Sequence, residues 1–347
     1  MGKGVTIRDV AARAGVSIAT VSRVLNGGTP TAPDTSARVR AAIAALGFRP
    51  NRIGRSLKEA RTRTIGVLVP SLRNPVFADS VAGIQDAASA AGYSVLIASS
   101  DYDPERERKA VETLLSHQVD GLVLTVAEAD TNAVLEALEA AGTPYVLAYN
   151  QPRDAKRPFV SVDNVAAARA MVERMLEFGH WRIGMVAGRF QQSDRSRLRR
   201  DGFLAALAAA GLVPGPVIEV DFADIRLDQH LAPIMAGRNR PTALFASNDL
   251  LALATVRALR DLGLCVPRDV SVTGFDGIEM GILTSPSIAT LVQPAYAMGE
   301  GAFAHLLATL EGEHPEPALL LPFTIRPGES LGPAHPKRTR REDRPVC

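Results

Sequence analysis

Aromatic residues are scarce in this chain: Phe, Trp and Tyr make up 5% of its 347 residues, with a single tryptophan. Cysteine is scarcer still. Its two cysteines, Cys265 and Cys347, form neither a disulfide framework nor a paired-cysteine zinc site. An uninterrupted apolar run of the ~18 residues that a membrane helix needs is missing. The opening MGKGVTIRDV lacks the apolar stretch of a secretory signal, so a cytoplasmic protein with no membrane partner is expected. The motifs G-x-x-x-x-G-K-[ST], G-x-S-x-G, G-x-G-x-x-G and H-E-x-x-H are absent too. With them go the usual phosphate loop, nucleophile elbow, dinucleotide fingerprint and zinc-protease helix, so neither an enzyme nor a cofactor or metal is expected.

What is abundant is apolar residue, 46% of the chain, enough to bury a large core. At roughly 100–200 residues per domain, the length suggests two or three domains. A net charge of +2 hides an uneven distribution. Residues 1–61 hold eleven Lys/Arg against three acids, a balance of +8. The remaining 286 residues hold 28 bases against 34 acids, a balance of −6. A small basic head on a larger acidic body is the electrostatic footprint of a nucleic-acid binder.

Within the head, Thr6 suits a helix cap, with Asp9 three residues on to return the bond. Ile7, Val10, Ala11 and Ala14 then share one helical face, and Gly15 suits a left-handed helix end. Ser17 can cap a second helix in GVSIATVSRVLNG. There Val21, Val24 and Leu25 face one way and Ile18, Ala19, Ser22 and Arg23 the other. A third helix is expected from about Asp34 to Leu46, with Val39, Ile43 and Leu46 inward and Gly47 ending it. Two short helices joined by a tight glycine-bearing turn make a helix-turn-helix. Its second helix can enter a major groove, where Arg takes a guanine by two bonds and small apolar groups meet a thymine methyl.

The run TIRDVAARAGVSIATVSRVLNG, then RVRAAIAALGFRPN and RSLKEARTRTIGVLVP, closely resembles the lac repressor (LacI/GalR) family of bacterial transcription regulators, over about residues 5–332. By that resemblance Ile18, Ala19 and Arg23 match base-reading positions, and Ser17, Thr20, Ser22 and Asn26 match phosphate-contacting ones. Thr6 and Arg52 join the DNA-contacting set. Asn51 to Lys58 matches the family's hinge helix, which orders on DNA, and Leu57 its minor-groove wedge. Gly54 departs from the alanine common in that helix and should cost it roughly 1 kcal/mol. The implied partners are a double-stranded DNA operator, a small sugar-like effector and a second copy of the chain. The C-terminal GPAHPKRTRREDRPVC has no leucine heptad, so a homodimer is expected rather than a tetramer.

From Thr64 the pattern changes. TIGVLVP, YSVLIAS, DGLVLT and PYVLAY read as buried strands separated by amphipathic helices, and RIGMVAG, PVIEVDF, TALFASND and VSVTGFD repeat the arrangement. RTIGVLVPS and HWRIGMVAGR are a weak internal echo. The expected architecture is a small all-α helix-turn-helix head plus an α/β body of two doubly wound lobes, like periplasmic sugar-binding proteins. The head spans 1–50, the hinge and linker 51–62 and the body 63–334. The lobe nearest the DNA takes about 63–161 and 293–322, the distal lobe about 162–292 and 323–334. Crossings are expected near 161–163, 290–293 and 321–323, and a basic tail without fixed structure at 335–347.

Polar residues gather after the strands, where parallel sheets bind ligands. The resemblance implies effector contacts for Phe77, Asp163, Arg199, Phe222, Asn248 and Asp276, with Tyr149, Asn150 and Ser193 lining the same cleft. The competing role for Asp276, and for Asn248-Asp249 at a helix start, is simply to cap helices. Arg195, Arg197 and Arg200 are expected mostly in solvent or in surface ion pairs, and His180 and Trp181 as turn and packing residues. Two other readings compete: a solute-binding protein serving a transporter, and an α/β enzyme. The basic head and the missing signal segment disfavour the first, and the missing motifs disfavour the second.

Overall fold

The computed structural model describes residues 5–26, 31–48, 61–153, 156–222 and 225–334. The chain divides into two compact units, Met1–Thr62 and Arg63–Cys347. Arg52, Gly54, Leu57 and the rest of 51–60, the tail 335–347, and the Asn26 side chain lie outside what is described.

The first unit is built from local signals. Helix α1 (Ile7–Ala14) starts at Thr6, whose backbone N–H and hydroxyl both donate to Asp9 Oδ2 at 2.7 Å. These bonds hold the Asp9 carboxyl below the usual carboxylate range. Gly15, at φ 64°, turns the chain out of α1. Helix α2 (Ile18–Asn26) opens on Ser17, whose Oγ accepts from Thr20 N at 3.2 Å. Helix α3 (Pro33–Leu46) carries proline in its first turn and ends at Gly47, φ 60°. Val10, Ala11 and Ala14 of α1, Val21 of α2, and Val39 and Ala42 of α3 form one small core. Ile7, Val16, Val24, Leu25, Ile43 and Leu46 pack around it.

The second unit begins β1 (Thr64–Val69), α4 (Pro75–Ala90), β2 (Ser94–Ser99), α5 (Pro104–Ser116), β3 (Gly121–Leu124), α6 (Ala133–Ala141), β4 (Tyr145–Ala148) and β5 (Phe159–Ser161). It continues α7 (Asn164–Glu177), β6 (Ile183–Gly188), α8 (Asp194–Ala209), β7 (Val217–Val220), α9 (Asp228–Ala236), β8 (Ala243–Ala246), α10 (Asp249–Asp261), β9 (Ser271–Asp276) and β10 (Ala289–Val292). Helix α11 (Ala295–Leu310), β11 (Ala318–Leu320) and β12 (Thr324–Arg326) complete it.

The strands form two sheets in the orders β11-β5-β4-β3-β1-β2 and β12-β10-β9-β8-β6-β7. The second repeats the first, so β6 answers β1 and β7 answers β2. The sheets differ at the edge, where β11 runs parallel to β5 and β12 antiparallel to β10. The chain passes between lobes between Ser161 and Asn164, between Val292 and Ala295, and between Leu320 and Thr324. Strands β1, β3, β4, β6, β8 and β9 are buried along nearly their whole length, as unbroken apolar runs in parallel sheets must be. Strands β5, β10, β11 and β12, three or four residues long, are the four that the sequence reading does not single out. Cys265 is buried, and it is not a free cysteine. No described helix is long and apolar enough to cross a membrane.

Candidate functional site

Two surfaces concentrate the chemistry, one on each unit. On the head, packing Val21 inward turns the opposite side of α2 to solvent. Ser17, Ala19 and Arg23 are exposed, and Ile18 is 44% exposed despite being large and apolar. Thr20 and Ser22 are half-buried, and Thr6 is exposed at the start of α1. The Ser17 and Thr20 hydroxyls share a hydrogen bond at 2.9 Å. The first turn of α2 carries no acidic residue, so its free backbone N–H groups meet no local negative charge. The result is a nearly uncharged helix face with one guanidinium.

In the second unit the carboxyl ends of the strands of each lobe face each other. On the β3–β4 side, lobe is pinned to lobe. Asp194 N donates to Ala127 O at 2.9 Å, and Asp194 Oδ2 accepts from Ala129 N at 3.2 Å and Asn150 Nδ2 at 2.7 Å. Arg195 Nη1 donates to Val126 O at 2.7 Å and to Asp194 Oδ1 at 3.1 Å, while Arg197 pairs with Glu128 at 2.6 Å. Glu107 supports the loop from beneath, accepting from Ala127 N and Asn132 Nδ2. Burial pushes the Glu107 and Asp194 carboxyls up. Arg195 therefore corrects the sequence reading. It is 4% exposed, held by the other lobe's backbone, and its Nη2 is a buried donor with no acceptor. Arg197 and Arg200 do sit in ion pairs, with Glu128 and Asp201.

The β1–β9 side centres on Asp276, which is 4% exposed and sits at φ 121°, a conformation rare outside glycine. Asp276 Oδ1 accepts from Gln293 Nε2 at 2.7 Å and Arg199 Nη1 at 3.4 Å; Oδ2 accepts from Asn74 Nδ2 of the other lobe at 3.2 Å. Arg199 also donates to Asn164 Oδ1 at 2.9 Å and Ser247 O at 2.6 Å, and lies 3.6 Å over the Phe275 ring. Burial lowers its guanidinium to about 10 and raises the Asp276 carboxyl. Beneath them Asp249 accepts from Gly277 N and Ile278 N, both at 2.8 Å. Burial first, then the Asp276 charge, pushes it up to about 7.

The aromatic residues complete the cleft. Phe77 meets Tyr149 edge-on at 5.2 Å, and the Tyr149 hydroxyl donates to Val76 O at 2.9 Å. Phe222 stacks on Tyr102 of the opposite lobe at 4.4 Å and 26°. The space between Ser71, Asn74, Tyr102, Phe222, Asn248 and Leu250 is about 50 Å³. A second hollow of about 410 Å³ is lined by Asp79, Asp276, Gln293 and Tyr296 among others.

The structure thus gathers Arg199 and Asp276 in one buried cluster, sets Phe222 and Asn248 on one small cavity, and pairs Phe77 with Tyr149. Three expected residues are used as helix caps: Asp163 accepts from Ala166 N, Ser193 from Ser196 N and Asn248 from Leu251 N. Asn150 is spent on the pinned side. Asp276 caps no helix. His180 is buried between Thr242 and Gly332, while Trp181 is 56% exposed under Arg182. Sequence reasoning missed Asn74, Tyr102, Asp194, Arg195 as a cleft residue, and Gln293. A signal existed for Tyr102: it follows β2 as Phe222 follows β7, and those strands are equivalent in the two sheets.

A helix-turn-helix unit with an exposed reading face, joined to a two-lobed α/β unit with polar strand ends, defines a DNA-binding transcription regulator rather than an enzyme. Residues 6–51 match the bacterial regulatory proteins of the lacI family, and residues 62–323 match the periplasmic binding proteins and sugar binding domain of the LacI family. The chain belongs to the LacI family. It is 35% identical over 332 residues to the HTH-type transcriptional regulator GntR of Escherichia coli strain K12, covering 94% of this chain and 98% of the relative. Among solved structures it resembles the lac repressor dimer bound to operator and the anti-inducer ONPF, with TM-score 0.82, 30% identity, 95% of this chain and 100% of that one. It also resembles a transcriptional regulator CelR–cellobiose complex, with TM-score 0.68, 31% identity, 94% of this chain and 99% of that one.

Proposed function

We propose that this regulator is a repressor that binds a palindromic operator as a homodimer and is controlled by a sugar or sugar derivative in the cleft between its lobes. The observation that carries the reading is the exposed face of α2, where Ile18, Ala19 and Arg23 are free for base edges on a head of balance +8. Around them Ser17, Thr20, Ser22 and Asn26, with Arg52, are assigned to phosphates, Thr6 to the DNA-contacting set at large, and Leu57 to the minor groove at the operator centre. A two-fold dimer reads a two-fold sequence. Support for operator and effector comes from the relatives: the lac repressor dimer is bound to operator, and CelR is complexed with cellobiose. The effector acts by changing the angle between lobes, which sets whether both hinge segments dock together. Phe77, Tyr149, Asn150, Asp163, Ser193, Arg199, Phe222, Asn248 and Asp276 are the residues assigned to that cleft. Selection of the full-length protein on a random duplex library, at a stated salt concentration, tests the reading. A palindrome with a pyrimidine–purine step at its centre supports both the head and Leu57. No enrichment, with or without a small-molecule cell extract, rejects it.

A further inference from the structure

Tyr102 is a buried aromatic residue carried by two consecutive non-glycine residues in the left-handed region, Asp101 at φ 49° and Tyr102 at φ 60°. Such backbone persists where the surroundings hold it, and it concentrates at binding sites and switches. Here the hold comes from across the cleft. The ring lies 4.4 Å from Phe222 of the other lobe, and Phe222 rests so closely on Gly188 that a Cβ there would fall 2.0 Å from its ring. Tyr102 lines one small space with Asn74 and Asn248, and the charges of Arg195, Arg199 and Asp276 act on its hydroxyl. What remains beside the two rings is about 50 Å³. A small-molecule site usually offers some 300 Å³ or more. Arg195, whose charge acts on the Tyr102 hydroxyl, keeps one unspent donor, Nη2, on a side chain 5% exposed.

The geometry points to Tyr102 as a built-in occupant of the effector cleft: its ring holds the effector's place on Phe222, and the effector binds by displacing it. This rests on the reading of the cleft as the effector site. The class of effector follows from what is vacated. A ring with a flat face replaces a ring on Phe222, and an acceptor on that ring meets Arg195 Nη2. Displacing the stack parts two residues of opposite lobes, so filling the site and moving the lobes are one event. A strained loop that lets go of its ring stores that movement in the empty protein.

The five tyrosines of the chain make the test internal. Tetranitromethane nitrates phenolates that reach solvent, and the rate at each tyrosine of the full-length protein is read by peptide mass spectrometry. Tyr296 is 42% exposed and sets the fast limit; Tyr93 and Tyr149, 8% and 2% exposed, set the buried limit. Tyr102 is as buried as Tyr93, at 9%, and burial raises its hydroxyl pKa, so it reacts only when it leaves the cleft. The expected result is nitration about tenfold faster than at Tyr93, the mark of local opening. A rate equal to that of Tyr93 overturns the proposal and makes Tyr102 an ordinary core residue. D-glucose, D-ribose and cellobiose are then added as ring probes, with operator affinity measured alongside. A probe that alters operator affinity and raises nitration at Tyr102 alone supports displacement. One that alters operator affinity and lowers it overturns displacement, since the ring would then be closing over its ligand. If no probe and no cell extract moves either readout, the effector reading fails, and the rate in the ligand-free protein still decides whether Tyr102 opens.

Discussion

Arg23 is the one guanidinium on the exposed face of α2, and its role separates from that of every other base in the head by a single comparison. A base-reading arginine discriminates; a phosphate-binding one does not. Arg23→Ala is expected to weaken operator binding by roughly 1–3 kcal/mol and blur one position per half-site, while binding to random duplex barely changes. Competition binding on both DNAs checks this, and equal losses would reassign Arg23 to a phosphate. In the second unit the informative residue is Asp249, whose carboxyl is raised to about 7 by burial and by Asp276. Below about pH 4 it is protonated in both the folded and the unfolded chain. Between about pH 4 and 7 the unfolded chain releases the proton and the folded chain keeps it, so stability falls as pH rises. At about 1.4 kcal/mol per pKa unit the loss from this one group reaches about 4 kcal/mol by pH 7. Asp249→Asn can still accept from Gly277 N and Ile278 N, and the Thr290 hydroxyl can turn to accept. Urea unfolding at pH 5 and pH 7 is therefore expected to show a smaller drop for the variant than for the parent. An equal drop would place the proton elsewhere, on Asp194, Glu107 or Asp276. At this scale the sequence reveals residue type and strand-end position, while Arg199, inside α8, and Asp276 are picked out through the family resemblance. It hides burial: Arg195 lies two residues from the cap Ser193 and two from the partly exposed Arg197, and only its meeting with Val126, 69 positions away, takes it out of water.

Elements were more legible than their contacts. Caps, glycine ends and apolar spacing are local, so α1 to α3 and the eight longer strand runs are readable before any tertiary contact is known. Helix crossings are not local, and glycine decides them. In the first lobe α4 packs on α11, and a Cβ at Gly83 would stand 2.1 Å from Tyr296 O. In the second lobe α7 packs on α8, and a Cβ at Gly202 would stand 2.2 Å from Val165 O. Alanine favours an isolated helix over glycine by about 1 kcal/mol. Forcing a methyl against backbone in a packed crossing costs about 1–3 kcal/mol or more, because a carbonyl cannot swing aside as a side-chain tip can. The second effect wins, so Gly83→Ala and Gly202→Ala are each expected to lower stability, measured by thermal or urea unfolding. The same arithmetic reverses sign at Gly54, in the stretch that resembles a hinge helix. Gly54 lies outside the described residues, and helix propensity alone favours alanine there by roughly 1 kcal/mol per hinge. Gly54→Ala is expected to tighten operator binding several-fold in a titration at fixed salt. Unchanged affinity would mean that the segment contributes no helix to the complex.

Across the whole molecule, charge is divided as function is: +8 on residues 1–61 and −6 on the remainder. Operator binding and effector binding should therefore answer salt differently. A protein neutralising six to ten phosphates loses about 10³–10⁵ in affinity between 50 and 200 mM salt through counterion release. A sugar held by amides, hydroxyls and buried ion pairs releases no such counterions, so its affinity should hardly move. The coupling between the two sites is a third quantity, and linkage makes it reciprocal: the factor by which effector changes operator affinity is the factor by which operator changes effector affinity. If the coupling is carried by the lobe angle, it resides in buried contacts such as Asp194 with Asn150, and Asn74 with Asp276, which salt screens weakly. Titrating operator with and without saturating effector, at both salt concentrations, should then show two operator affinities that fall steeply in parallel and a ratio that stays constant. A ratio that collapses towards one as salt rises would count against lobe closure as the carrier of control. It would shift the search for that carrier from the buried interlobe bonds to the exposed charges.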